Sequence, residues 1–66
     1  MCLSTVYDGR RSPDAVILKN IQRLRFEPGR LVCTDLLERD TVLEGTPVEA
    51  DLVNGWIVMS MKEGRE

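Results

Sequence analysis

Turn-forming residues break this chain at short intervals, at Asp8-Gly9, Pro28-Gly29, Gly45 with Pro47, and Asn54-Gly55. The stretches between them are short and rich in Val, Ile, Leu and Thr, which is strand material rather than helix material. The punctuation therefore predicts an all-β chain. In 66 residues there is room for one modest core, so residues 1–66 are expected to form a single domain. At this size, association or a bound metal often supplements the core. Short strands in so small a chain must close on one another to bury an apolar face. An SH3-like small barrel of five to six short antiparallel strands is the economical arrangement.

The strands can be placed from the alternation of side chains. Cys2 to Tyr7 alternates and ends at Asp8-Gly9, and a loop from Arg10 to Asp14 follows, with turn chemistry and little to bury. Val16 to Phe26 is a long run whose phase shifts near Asn20-Ile21, which predicts a bulge or bend there. Pro28-Gly29 then supplies a tight turn into Leu31-Val32-Cys33-Thr34. Leu36 to Glu44 is ambiguous between a helical turn and a strand, with strand favoured at Thr41 to Leu43. Beyond Gly45 and Pro47, Val48, Ala50 and Leu52 alternate against Glu49, Asp51 and Val53, the pattern of a half-buried strand. Asn54-Gly55 predicts a two-residue type I′ hairpin turn, and Trp56 to Met61 is the closing strand. The expected core is Leu3, Val6, Ile17, Leu24, Phe26, Leu31, Leu43, Val48, Leu52 and Ile57.

Charge and composition narrow the function classes. The formal net charge of −2 gives no overall positive field toward phosphate backbones or anionic lipid. Arg10, Arg11, Lys19, Arg23, Arg25 and Arg30 cluster in the first half, but no aromatic residues interleave with them, so nucleic-acid binding is disfavoured. No apolar run is long enough to span a membrane. No stretch joins a basic start, an apolar run and a small-residue cleavage site, so a cytoplasmic protein with reduced thiols is expected. Catalysis has no visible machinery: the chain has no histidine, no nucleophile elbow and no Gly-rich phosphate loop.

Chemistry concentrates at the amino terminus. The Met1 amine, the Cys2 amide nitrogen once deprotonated, and the Cys2 sulfur form two fused five-membered chelate rings around a metal. With Met1 removed, the Cys2 amine and sulfur still form one. Planar nitrogen donors suit Cu(II) or Ni(II), and thiolates also attract Cu(I) and zinc. A structural zinc site needs four side-chain ligands, and two cysteines without histidine do not supply them. Two or three donors per chain leave a square-planar ion incomplete. Two copies about a two-fold axis would fill it, which predicts a homodimer with metal between the Cys2 residues.

Other potential ligands have simpler explanations. Cys33 lies in an apolar run and reads as a small buried hydrophobe. Asp35, Glu38 and Asp40 lack the spacing of a calcium loop and read as solvated surface. Met59 and Met61 alternate along one strand and read as packing.

The start Met1-Cys2-Leu3-Ser4-Thr5-Val6-Tyr7, the Ile21 to Phe26 strand, the Pro28-Gly29 turn, Leu36-Leu37-Glu38 and the Val48 to Met59 hairpin together resemble the CooT family of small nickel-binding proteins associated with carbon monoxide dehydrogenase maturation. The resemblance implies a homodimeric small β-barrel, not an enzyme, that binds Ni(2+) through Cys2, with Met1 as a neighbouring nitrogen donor. It also implies a metallochaperone role in nickel insertion, with carbon monoxide dehydrogenase or its maturation machinery as partner. There is no histidine-rich tail for storing many ions. The alternative is an RNA-binding small β-barrel module, a label carried by relatives on fold analogy.

Overall fold

A computed structural model describes residues 3–61. Five strands form a closed barrel in the order β1-β2-β3-β4-β5. They are β1 (Ser4–Asp8), β2 (Val16–Glu27), β3 (Arg30–Asp35), β4 (Asp40–Asp51) and β5 (Trp56–Met61), with one 3-10 turn at Pro13–Ala15 between β1 and β2. The all-β small barrel read from the sequence is the fold observed. Four of the five strand pairs are antiparallel. The closing pair differs from the expectation, because β1 runs parallel to β5, from Thr5 opposite Trp56 to Asp8 opposite Met59. An odd number of strands joined by antiparallel neighbours brings the first and last together in the same direction, so closure of five strands forces this parallel seam.

The long strands serve two neighbours each. β2 pairs with β1 through Val16 to Ile21 and with β3 through Ile21 to Glu27. The expected irregularity falls where the partner changes: Asn20 adopts φ 60, and the register slips between Ile21 and Arg23. Asparagine tolerates the left-handed region better than the β-branched residues around it. β4 makes the same exchange at Gly45, whose amide donates to the Gly29 carbonyl at 3.1 Å while the residue pairs with Met61. Gly45 and Pro47 therefore do not interrupt β4 as the sequence suggested. They sit where the strand leaves β3 for β5, and the pairing skips Val48 between Pro47 and Glu49, a bulge that accommodates a proline without an amide hydrogen.

The core consists of Val6, Ile21, Leu31, Cys33, Leu43, Ile57 and Met59, with Ile17, Leu18, Leu24 and Met61 packed against it. Three expected core residues are corrected. Val48 is 65% exposed because it is the extra residue of the bulge, and Leu52 is 79% exposed because β4 ends at Asp51 and Leu52 belongs to a loop. Phe26 is 65% exposed; it lies one residue from the end of β2, beside the Pro28-Gly29 turn. Leu3 is half-buried. Conversely, Val32, Cys33, Val58 and Met59 are buried on consecutive positions of β3 and β5. The buried Thr34 hydroxyl donates to the Asp40 carboxylate at 2.6 Å, so its burial leaves no unmet hydrogen bond.

Candidate metal centre

Met1 and Cys2, the residues singled out for metal binding, lie outside the described residues. What the fold defines is the position of Leu3, their neighbour in the chain. Ser4 at the start of β1 pairs with Ile21, which in turn pairs with Asp35 at the end of β3, and Thr5 pairs with Trp56 at the start of β5. Leu3 therefore lies beside the loop from Leu52 to Gly55 and on the side of the β3–β4 turn, whose Leu36 amide donates to the Asn20 carbonyl, whereas the Pro28-Gly29 turn lies beside Gly45, opposite Met61 at the far end of β5. Leu3 is one residue from Cys2, and successive Cα atoms are about 3.8 Å apart.

The β4–β5 loop holds this entry point. The Thr5 amide donates to the Gly55 carbonyl at 2.9 Å, and the Gly9 amide donates to the Met59 carbonyl at 2.8 Å, so β1 is tied to β5 at both ends. Gly55 has φ 76, and a Cβ built on it would stand 3.1 Å from the Leu3 carbonyl oxygen. Glycine is thus required twice at this position, for its backbone angle and for the approach of β1. The expected two-residue type I′ turn is replaced by four residues between Asp51 and Trp56, which pair across the hairpin, with the Gly55 amide bonded to the Asp51 carbonyl at 2.8 Å. Only Gly55 in the loop has positive φ. The Asp51 side chain decides this geometry: its carboxylate accepts from the Val53 amide at 3.0 Å, the Asn54 amide at 2.9 Å and the Asn54 side-chain amide at 2.9 Å. These donors, the Asn54 backbone amide foremost, hold the Asp51 carboxyl below its ordinary range. Arg11 adds to the neighbourhood, with its guanidinium carbon 4.2 Å from the Trp56 ring centroid. Sequence spacing offered no signal for this contact, since the two residues come from separate segments joined only by the β1–β5 seam.

The remaining candidate ligands are occupied in other ways. Cys33 is fully buried in the core, and desolvation pushes its thiol up to about 11, which disfavours the thiolate a metal needs. Asp35 caps its own turn, accepting from the amides of Leu37 and Arg39 and from Arg39 Nε at 2.9–3.0 Å. Glu38 accepts from the Gln22 side chain at 2.7 Å, and Asp40 from Thr34. Met59 is fully buried and Met61 packs against the core. Among the described residues, no three Cys, Asp or Glu side chains gather where they could hold a metal ion.

The model of the CO dehydrogenase accessory protein CooT family matches residues 1–60 of the chain. This chain belongs to the CooT family. Membership makes it an accessory protein of CO dehydrogenase rather than a catalyst. The match includes both Met1 and Cys2 and stops one residue short of the end of β5. No curated protein matches the sequence. Among the described residues, no helix is long and apolar enough to cross a membrane.

Proposed function

We propose that this CooT family member is a cytoplasmic nickel-binding metallochaperone that assists nickel insertion into carbon monoxide dehydrogenase, carrying Ni(II) on Cys2 at a homodimer interface. The observation that carries the reading is the family match, which begins at Met1-Cys2. Donor chemistry supports it. The Cys2 sulfur, the Cys2 amide nitrogen and the Met1 amine bind the cargo as a chelate, and the second chain supplies the donors that one chain lacks. Cys33 offers no competing thiolate, because burial keeps it protonated. An ion held by two short chain ends, rather than enclosed in the core, is accessible to a receiving site, as delivery requires. The partner is the dehydrogenase or its maturation machinery.

The test is Ni(II) titration of the wild type and of Cys2→Ser, followed by native mass spectrometry and absorbance. The expected result is about one ion per two chains with a sulfur-to-nickel charge-transfer band, both lost in Cys2→Ser. Equal affinities for the two proteins would overturn the proposal.

A further inference from the structure

The corner where β3 turns into β4 leaves a cleft of about 220 Å³ against β2, lined by Lys19, Asn20, Asp35, Leu36, Leu37 and Arg39. Leu36 and Leu37 stand in it 54% and 67% exposed. The corner is held in place by its own bonds. The Leu36 amide donates to the Asn20 carbonyl and the Glu38 amide to the Asp35 carbonyl, both at 2.9 Å, and the Gln22 side chain ties Glu38 back to β2. Asn20 and Glu38, with φ of 60 and 66, are the only non-glycine residues of positive φ among the described residues. That backbone is unfavourable for any residue with a Cβ, and such strain gathers where a surface has a task. The carboxylates of the corner are satisfied within the chain: Asp35 by the Leu37 and Arg39 amides and Arg39 Nε, Glu38 by Gln22 and Asp40 by Thr34. The donors are not. Lys19 takes no part in the ion pairs among the described residues, and Arg39 spends only Nε on Asp35, which leaves its two terminal nitrogens.

We infer that this corner is a docking site for an extended acidic segment of another protein, in which a glutamate or aspartate side chain meets Lys19 and Arg39 while a neighbouring aliphatic side chain packs on Leu36 and Leu37. Charge complementarity selects the occupant. The unspent donors sit on two cations, which call for an acceptor of opposite sign. The paired leucines beside them favour a peptide over a bare anion, and no aromatic residue lines the cleft to stack a nucleobase. Pockets for cofactors and other small molecules run to roughly 300–1,000 Å³, so this smaller cleft suits one or two side chains of a peptide. A second copy of this chain is a poor occupant. Two copies meeting corner to corner about a two-fold axis would set each Lys19 and Arg39 against its own duplicate. The inference goes beyond the metal reading and does not depend on it, since none of these residues is offered as a nickel ligand.

The experiment is two-dimensional amide NMR of the full chain without metal, titrated with a capped Gly-Leu-Glu-Leu-Glu-Gly peptide and with its glutamine and lysine counterparts. The proteins are wild type, Lys19→Arg, Lys19→Glu and Leu37→Ser. Both side chains are exposed, and unchanged amide positions away from the corner verify the fold of each variant. The expected result is a saturable shift confined to the amides around Asn20, Leu36, Leu37 and Arg39 with the glutamate peptide. Binding should weaken roughly tenfold for the glutamine peptide and for Leu37→Ser. Lys19→Arg should bind as wild type does, and Lys19→Glu should exchange its preference to the lysine peptide. No saturable shift at the corner, or equal binding of the glutamate and glutamine peptides, overturns the inference. Corner amides that move on dilution of the peptide-free protein would assign the surface to a second copy, and corner amides that answer to an oligothymidylate but not to the peptide would assign it to nucleic acid; either overturns it. The titrations need no Ni(II), so a protein found to bind no metal loses the metal reading and keeps this one.

Discussion

Asp51 shows how one side chain can choose a turn. Asparagine-glycine sequences favour a two-residue hairpin, yet the Asp51 carboxylate collects the amides of Val53 and Asn54 and stabilises a wider loop that keeps a positive φ only at Gly55. Because this lowers the folded-state carboxyl below its unfolded value, the contribution is complete above the ordinary aspartate range and fades as acid protonates the folded group. Asp51→Ala is therefore expected to melt several degrees below wild type near neutrality. The gap should close as the pH falls below about 4, and thermal melts of both proteins across that range check it. Cys33 has the opposite problem: desolvation raises its pKa to about 11. In a Cys2→Ser background its thiol should resist a disulfide reagent at mildly alkaline pH until denaturant is added. Rapid labelling of the native protein would contradict the burial and reopen Cys33 as a ligand.

Elements are joined through backbone more than through side chains. β1 has five residues, and its attachment depends on the glycine of a neighbouring loop. Gly29 and Gly55 have φ of 74 and 76, but a Cβ on Gly29 meets nothing within 4 Å, whereas one on Gly55 meets the Leu3 carbonyl oxygen at 3.1 Å. Alanine at Gly29 should cost roughly 1–2 kcal/mol of left-handed strain. Alanine at Gly55 should cost more, roughly 2–4 kcal/mol, because β1 must shift as well. Urea denaturation of the two variants checks the order, and equal losses would mean that the loop does not brace β1. The shift at Asn20-Ile21 was legible because the alternation visibly changes phase there. The continuity of β4 was not, because Gly45 and Pro47 are breakers in isolation and become useful only when a strand must change partners.

Across the whole molecule, stability comes from a small closed core. Leu31 is fully buried and Leu52 is 79% exposed, although the two look alike as leucines in apolar alternation. Leu31→Ala should lose about 2–5 kcal/mol, while Leu52→Ala should stay within about 0.5 kcal/mol in the monomer. Chemical denaturation at low protein concentration separates the two, and comparable losses would put Leu52 back in the core. By itself, the sequence determined what local chemistry decides: strands rather than helices, the positions of β2, β3 and β5, the irregularity at Asn20, and a thiol at the amino terminus with chelating nitrogens beside it. Those follow from backbone preference and covalent connectivity, which neighbouring residues already encode. Only the tertiary structure decided that the barrel closes through a parallel β1–β5 seam, that β4 changes partners at Gly45, that Val48, Leu52 and Phe26 remain in solvent while Val58 and Met59 do not, and that Arg11 lies on Trp56. Each of these depends on which distant strand arrives alongside, and the burial of a side chain is a property of that arrival rather than of the residue's own alternation.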